Sequence, residues 1–237
     1  MTDEDIWYFR HNGFHRLAQQ LDGPMLRRLN DVTDAQIASM QEPIVWEDDL
    51  PKCPDHVRRL SKVLHRDPIY MQAAQTPAIL DALEGILGPN IELITNKHNH
   101  LMVRPAGSNP VYWHAGEEPW DPVLITVLIY LEESTLDNGC IRLVPGSHQR
   151  PFPWPRRPGK DFYGSALFGR SVPFPMPAGG VLLFNDCCFH GADTNHTRGS
   201  RRSMTLGYRA HDAHDVGKED PEKILVRGER VYTGHLR

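Results

Sequence analysis

The 237-residue sequence has little of what most simply assigns a chain to a class. Its four cysteines, Cys53, Cys140, Cys187 and Cys188, show no paired metal-ligand spacing, and the adjacent pair is too close to staple a fold. Reduced thiols are the expectation. The longest apolar run, Val123 to Leu131, is far too short to span a bilayer, and the acidic start Met-Thr-Asp-Glu-Asp-Ile-Trp has no apolar signal core. Neither sign of charge dominates: 26 Lys plus Arg stand against 30 Asp plus Glu, a net charge of -4. That balance removes any whole-molecule argument for a nucleic-acid polymer or a membrane, so any preference for anions must be local. A cytoplasmic protein is the expectation, with the oligomeric state left open.

What is present divides by period. Over residues 1–90, apolar positions recur at helical spacing in Phe14, Leu17, Leu21, Met25, Leu26 and Leu29, and again in Ile79, Leu80, Leu83 and Leu87. Gly88-Pro89 ends the second pattern. From Ile91 onward, short strands alternate with Gly, Pro, Asn and Asp; the clearest are Ile91–Arg104, Val123–Glu132, Cys140–Val144, Gly180–Phe184 and Ser203–Arg209. Asp137-Asn138-Gly139 is a tight-turn signal, and seven prolines in residues 151–177 predict a long irregular excursion. Helices followed by about eight short strands predict a mainly β, jelly-roll (cupin-like) barrel with N-terminal helices packed on it. The expectation is one domain over 1–237, with a helical collar at 1–90 and the barrel at 91–237. Small barrels of this kind hold ligands in the mouth.

The chemistry is written most densely in Trp113-His114-Ala115-Gly116-Glu117, read against His190 and Arg201. A non-heme Fe(II) oxygenase holds its metal with two histidines and a carboxylate, commonly as His-x-Asp or His-x-Glu plus a distal histidine. Here Gly116 stands where the acid would be. The carboxylate would supply one negative charge and fill one coordination position, so its absence leaves room for an exogenous anion, and chloride is the obvious one.

Three stretches carry a family resemblance over nearly the whole chain: Trp113 to Glu117, Asp137-Asn138-Gly139-Cys140-Ile141-Arg142-Leu143-Val144-Pro145-Gly146-Ser147-His148, and Gly180 through His190-Gly191 to Arg201. In these the chain resembles the phytanoyl-CoA dioxygenase-like family of Fe(II)/2-oxoglutarate enzymes. The resemblance implies a double-stranded β-helix, His114 and His190 as iron ligands, and Arg201, eleven residues after the distal histidine, as the anchor of the 2-oxoglutarate C5 carboxylate. It also implies Fe(II), 2-oxoglutarate and O2 as cofactors. A buried arginine independently calls for a carboxylate guest. Thr126, which shares a strand face with Leu128 and Tyr130, is expected as a second contact to 2-oxoglutarate. Arg104 shares parity with His98, His100 and Met102. The remaining histidines, His98, His100, His148, His196, His211 and His214, are read as surface or satisfied core residues.

Gly116 admits three readings. It resembles the chlorinating branch of these enzymes, which carries Ala or Gly here; alternatively Glu117 reaches back as third ligand in a hydroxylase; or the site is a non-catalytic binding module. Glu117 faces away from His114 in an extended segment and needs a kink to reach the iron. The reading carried forward is a halogenase that chlorinates an unactivated C–H. Arg150, Arg156, Arg157, Lys160 and Arg170, interleaved with Phe152, Trp154, Phe162, Tyr163 and Phe168, suit a phosphate and a flat ring. The preferred substrate is therefore a nucleotide such as a deoxyadenosine monophosphate, as in nucleoside-antibiotic biosynthesis. Glu117 and Glu118, if they leave the iron alone, would suit an amino group on the substrate.

Overall fold

A computed structural model describes residues 1–116, 124–150, 157–159, 164–213 and 222–230. Four helices, α1 (Asp3–Asn12), α2 (Gly23–Ala38), α3 (Pro68–Ala74) and α4 (Pro77–Leu87), lie in the first 90 residues. Their starts are chemically marked. The Thr2 hydroxyl accepts from the Asp5 amide while the Asp5 carboxylate accepts from the Thr2 amide, a reciprocal cap, and Asp22 and Asp67 cap α2 and α3. Proline in the first turn of α2, α3 and α4 occupies a position where no amide partner is needed.

The N-terminal region is not purely helical. Three strands interrupt it: β1 (Phe14–Arg16), β2 (Ile44–Trp46) and β3 (Val57–Ser61). Phe14, which fits the helical spacing, lies in β1 opposite Phe184, because Gly13, at φ +84°, ends α1 and turns the chain onto the sheet. The other strands are β4 (Ile91–Arg104), β5 (Val111–His114), β6 (Ile125–Tyr130), β7 (Ile141–Leu143), β8 (Val172–Pro173), β9 (Val181–Asn185), β10 (His190–Ala192), β11 (Arg201–Ala210) and β12 (Ile224–Arg227). The large antiparallel sheet runs β1-β9-β6-β11-β4-β3-β2, with β12 also on β4, and the small one runs β5-β10-β7-β8. This is the mainly β architecture the sequence predicts.

Alternation along β6 separates two cores. Ile125, Val127 and Ile129 join Leu29, Tyr70, Ile79 and Leu83 under the helices, whereas Leu128 and Tyr130 pack with Ile141 and Leu143 of β7 between the sheets. Each fully buried Leu or Ile contributes roughly 1.5–3 kcal/mol, so this helical layer fixes the large sheet. The Asp137-Asn138-Gly139 turn exists, with Gly139 at φ +74° and Asn138 Oδ1 accepting from the Thr135 amide, but β6 and β7 belong to different sheets. The turn serves a crossing between layers, not a two-stranded hairpin.

Glu92, fully buried on β4, sits 2.9 Å from His211 Nδ1 and 3.6 Å from Arg209 Nε, with Lys223 and Arg230 each at 3.8 Å. It ties β4, β11 and the segment leading into β12 by charge at a place where an unmatched cation would be costly. Glu92→Ala is expected to lower stability by about 3–5 kcal/mol in urea unfolding. A loss below about 1 kcal/mol would show that the surrounding cations are already well hydrated.

Candidate active site

The small sheet brings the two motif histidines together. His190 on β10 lies directly opposite His114 on β5, and their ring centroids are 4.1 Å apart at an interplanar angle of 53°. Each ring is held by a local backbone acceptor: Nδ1 of His114 donates to Tyr112 O at 2.8 Å, and Nδ1 of His190 donates to Cys188 O at 2.9 Å. Since a carbonyl can only accept, both Nδ1 atoms carry the proton and both Nε2 lone pairs remain for a metal. Burial pushes both histidines below the ordinary imidazole range, His190 to about 3, where the neighbouring His114 adds to the effect. Neutral imidazoles are what a metal requires.

Gly116 lies just beyond β5, and its neighbour in space is Asp186, in the turn between β9 and β10. The Gly116 amide donates to Asp186 O at 2.7 Å. A Cβ built on Gly116 would land on the Asp186 carboxylate, 2.6 Å from its Cγ and in collision with Oδ2. The bare position is thus bounded by a second acid that the sequence reading passed over. Asp186 Oδ1 accepts from Thr126 Oγ1 at 3.3 Å and lies 3.2 Å from His98 Nε2. Burial alone would raise the Asp186 carboxyl, but the charge and hydrogen bond of His98 outweigh it and hold the pKa at about 2.

His98 therefore departs from its surface-or-core reading. It sits at φ +49° where the β4–β11 register slips, between the Leu206–Asn99 and Gly207–Ile94 pairs, and a Cβ on Gly207 would approach Ile94 to 2.7 Å and His98 to 3.0 Å. The irregularity turns the imidazole toward the cavity. His100, also on β4, lines the inner cavity as well, and burial lowers its pKa to about 3. Thr126 lines that cavity too, but its hydroxyl is engaged with Asp186.

Arg201 begins β11 and lies opposite Arg104 at the end of β4, both 4% exposed and both lining an inner cavity of about 170 Å³ that reaches the histidine pair. Arg104 Nη2 donates to Asn109 O and Asp193 O, at 2.9 and 2.8 Å. Among the described residues, the Nε atoms of both arginines and the buried Tyr130 hydroxyl have no protein partner. Burial lowers both guanidinium pKa values, Arg104 to about 10 with Arg201 beside it, while burial and lost hydration raise that of Tyr130. Orphaned donors on two buried cations match a carboxylate guest. Arg202, on the opposite face, pairs with Asp34 at 2.6 Å and Glu132 at 3.5 Å.

An outer cavity of about 240 Å³ lies on the other side of the histidine pair, bounded by Gly116, Asp186, Lys97 and Arg157. Arg157 is exposed at this rim; Arg156, Glu117, Glu118, Lys160, Phe152, Trp154, Phe162, Tyr163 and His214 fall outside the described residues. Phe168 is not available to stack on a substrate. It is buried against Trp113 and Phe189, at centroid distances of 5.0 and 5.4 Å, and supports the β5–β10 pair from behind. Among the described residues, no three His, Cys, Asp or Glu side chains converge closely enough to enclose a metal ion. Among them too, no helix is long and apolar enough to cross a membrane.

The phytanoyl-CoA dioxygenase (PhyH) family model matches residues 9–203. The human peroxisomal phytanoyl-CoA dioxygenase is 24% identical over 253 residues, covering 99% of this chain and 70% of that protein. A probable alpha-ketoglutarate-dependent hypophosphite dioxygenase of Stutzerimonas stutzeri is 28% identical, covering 63% of this chain and 57% of its own length. Among solved structures, EctD from S. alaskensis with bound Fe superposes with a TM-score of 0.77 at 19% identity, over 97% of this chain and 87% of that one. The non-heme alpha ketoglutarate dependent epimerase SnoN from nogalamycin biosynthesis gives 0.74 at 16% identity, over 98% of both chains. The two likenesses establish the jelly-roll fold, and with the family match the chain belongs to the phytanoyl-CoA dioxygenase family of Fe(II)/2-oxoglutarate-dependent oxygenases.

Proposed function

We propose that this chain is the halogenating kind of Fe(II)/2-oxoglutarate enzyme, replacing an unactivated C–H of a small molecule with C–Cl. The observation that carries the reading is Gly116: the position two residues after His114, where a protein carboxylate would complete the ligand set, bears no side chain. His114 and His190 would hold Fe(II) through their Nε2 atoms, for which the Nδ1-to-carbonyl bonds prepare them. Arg201 would receive the distal carboxylate of 2-oxoglutarate, with Arg104 and the Tyr130 hydroxyl as further donors around it. Bound iron with its co-substrate and O2 supplies the oxidising power for C–H cleavage. The protein fixes the position of the substrate carbon relative to the halide, and that decides whether chlorine or oxygen is transferred. A hydroxylase remains the second reading, favoured by the Asp186 carboxylate beside Gly116, with Glu117, next in sequence, as the alternative third ligand.

The substrate in this reading is a phosphorylated nucleoside, a deoxyadenosine monophosphate being the preferred case. Support comes from Lys97 and Arg157 at the outer cavity, two cations on the side from which a substrate would reach the histidine pair. Arg156, adjacent in sequence, would add a third.

Four outcomes test the proposal. Anaerobic loading with Fe(II), 2-oxoglutarate and chloride, followed by O2 and a panel of nucleotides and amino acids, should give a product with a chlorine isotope doublet in mass spectrometry; a gain of one oxygen alone would establish the hydroxylase. Gly116→Asp should abolish chlorination, since the new carboxylate takes the halide's room and pushes on Asp186, whereas normal chlorination by that variant would refute the assignment. Arg201→Gln should raise the 2-oxoglutarate requirement at least about 30-fold, as the loss of one partner in a buried charge pair costs roughly 2–5 kcal/mol. For the substrate, Arg157→Ala should weaken binding of the nucleotide far more than of its nucleoside, and equal effects would remove the phosphate.

A further inference from the structure

The bare position at Gly116 is flanked by an anion of the protein itself. Asp186 Oδ2 occupies the space that a residue-116 side chain would enter, while Oδ1 is turned to Thr126 and His98. The carboxylate is 6% exposed, and its backbone is pinned on both sides: its amide donates to Leu124 O at 2.9 Å and its carbonyl accepts from the Gly116 amide. It can therefore rotate but not retreat. A halide beside Gly116 would meet this negative oxygen in a cavity where little water screens the repulsion. Two contacts hold the other oxygen of this carboxylate, the Thr126 hydroxyl and the His98 imidazole that the β4 irregularity brings into the cavity, and with both made Oδ2 fills the space beside Gly116.

We propose that Asp186 is the specificity-determining residue at the bare position: its carboxylate competes with halide for the space Gly116 leaves open, and halide enters when Oδ2 rotates out of that space. This inference rests on the halide reading of Gly116 and deepens it. Asp186 thereby sets the chloride concentration at which the enzyme is halide-loaded. At low chloride, its oxygen and water hold the position instead.

The test is a chloride titration of the anaerobic Fe(II)–2-oxoglutarate complex, followed by its visible charge-transfer absorption, with no turnover involved. Asp186→Asn keeps the shape and removes the charge; Asp186→Ser removes the bulk as well. Both are expected to bind chloride about tenfold more tightly than the unaltered protein, or tighter still. Unchanged or weaker chloride binding in both Asp186 variants overturns the inference while leaving a chloride response of the unaltered protein, and with it the halogenase reading, intact. A response in the variants but none in the unaltered protein supports Asp186 as the excluding group and refutes native chlorination. No response in any form overturns both. If neither variant forms the Fe(II)–2-oxoglutarate complex, Asp186 is a requirement of metal binding and the competition is refuted.

Discussion

The site depends on one cross-strand register, His190 opposite His114 in the small sheet. Because side chains alternate along a strand, a slip of one residue in β5 or β10 would send one imidazole to the far side of the sheet and leave no pair. Several contacts oppose that slip. Leu143 of β7 pairs His190 from the other edge, and Trp113, Phe168 and Phe189 pack behind the pair. The rings are aimed by Nδ1 bonds to carbonyls two residues earlier in the chain, Tyr112 within β5 and Cys188 in the turn that leads into β10, so aim and local backbone geometry are one constraint. The rest of the molecule holds that constraint rigid: helices cover the outer face of the large sheet, and the inner core joins the two sheets.

Charge is arranged asymmetrically about this pair. Arg201 and Arg104 form the inner end, buried and with Nε atoms short of acceptors among the described residues, where under the proposed function a dicarboxylate co-substrate would satisfy what the fold leaves open. On the outer side, the Asp186 anion stands among His98, Lys97 and Arg157. Two like charges about 4 Å apart repel by roughly 4 kcal/mol at an effective dielectric near 20, enough to decide which ligand fills a position. The glycine alone is then insufficient as a description of the proposed halide position. Its neighbour in space matters as much, and that neighbour comes from another strand.

Much of this was legible in the sequence, for identifiable reasons. Period-2 alternation over Ile125–Tyr130 is clean because one face packs on helices and the other on the facing sheet, so the inward parity of Thr126, Leu128 and Tyr130 could be read directly. The short strands β1, β2 and β3 could not: three to five residues show no period, and Phe14 happens to fit a helical stripe while pairing with Phe184. His114, Gly116, His190 and Arg201 were found through motif context, and the structure gathers them around two adjoining cavities. Asp186 and His98 were missed for a physical reason. Their roles arise from a turn and a strand irregularity that bring residues 88 apart in sequence within 3.2 Å, and neither feature leaves a spacing signature.

The claim at the centre is that iron here takes two protein donors and a halide from solution. The most direct measurement is diffraction from crystals holding iron, 2-oxoglutarate and bromide, with anomalous maps collected at the edges of both metal and halogen. The account predicts a bromide peak bonded to the iron on the Gly116 side, with His114 and His190 as the protein ligands. An oxygen of Glu117 or Asp186 bonded to the iron under saturating bromide, with no halogen peak there, would contradict it.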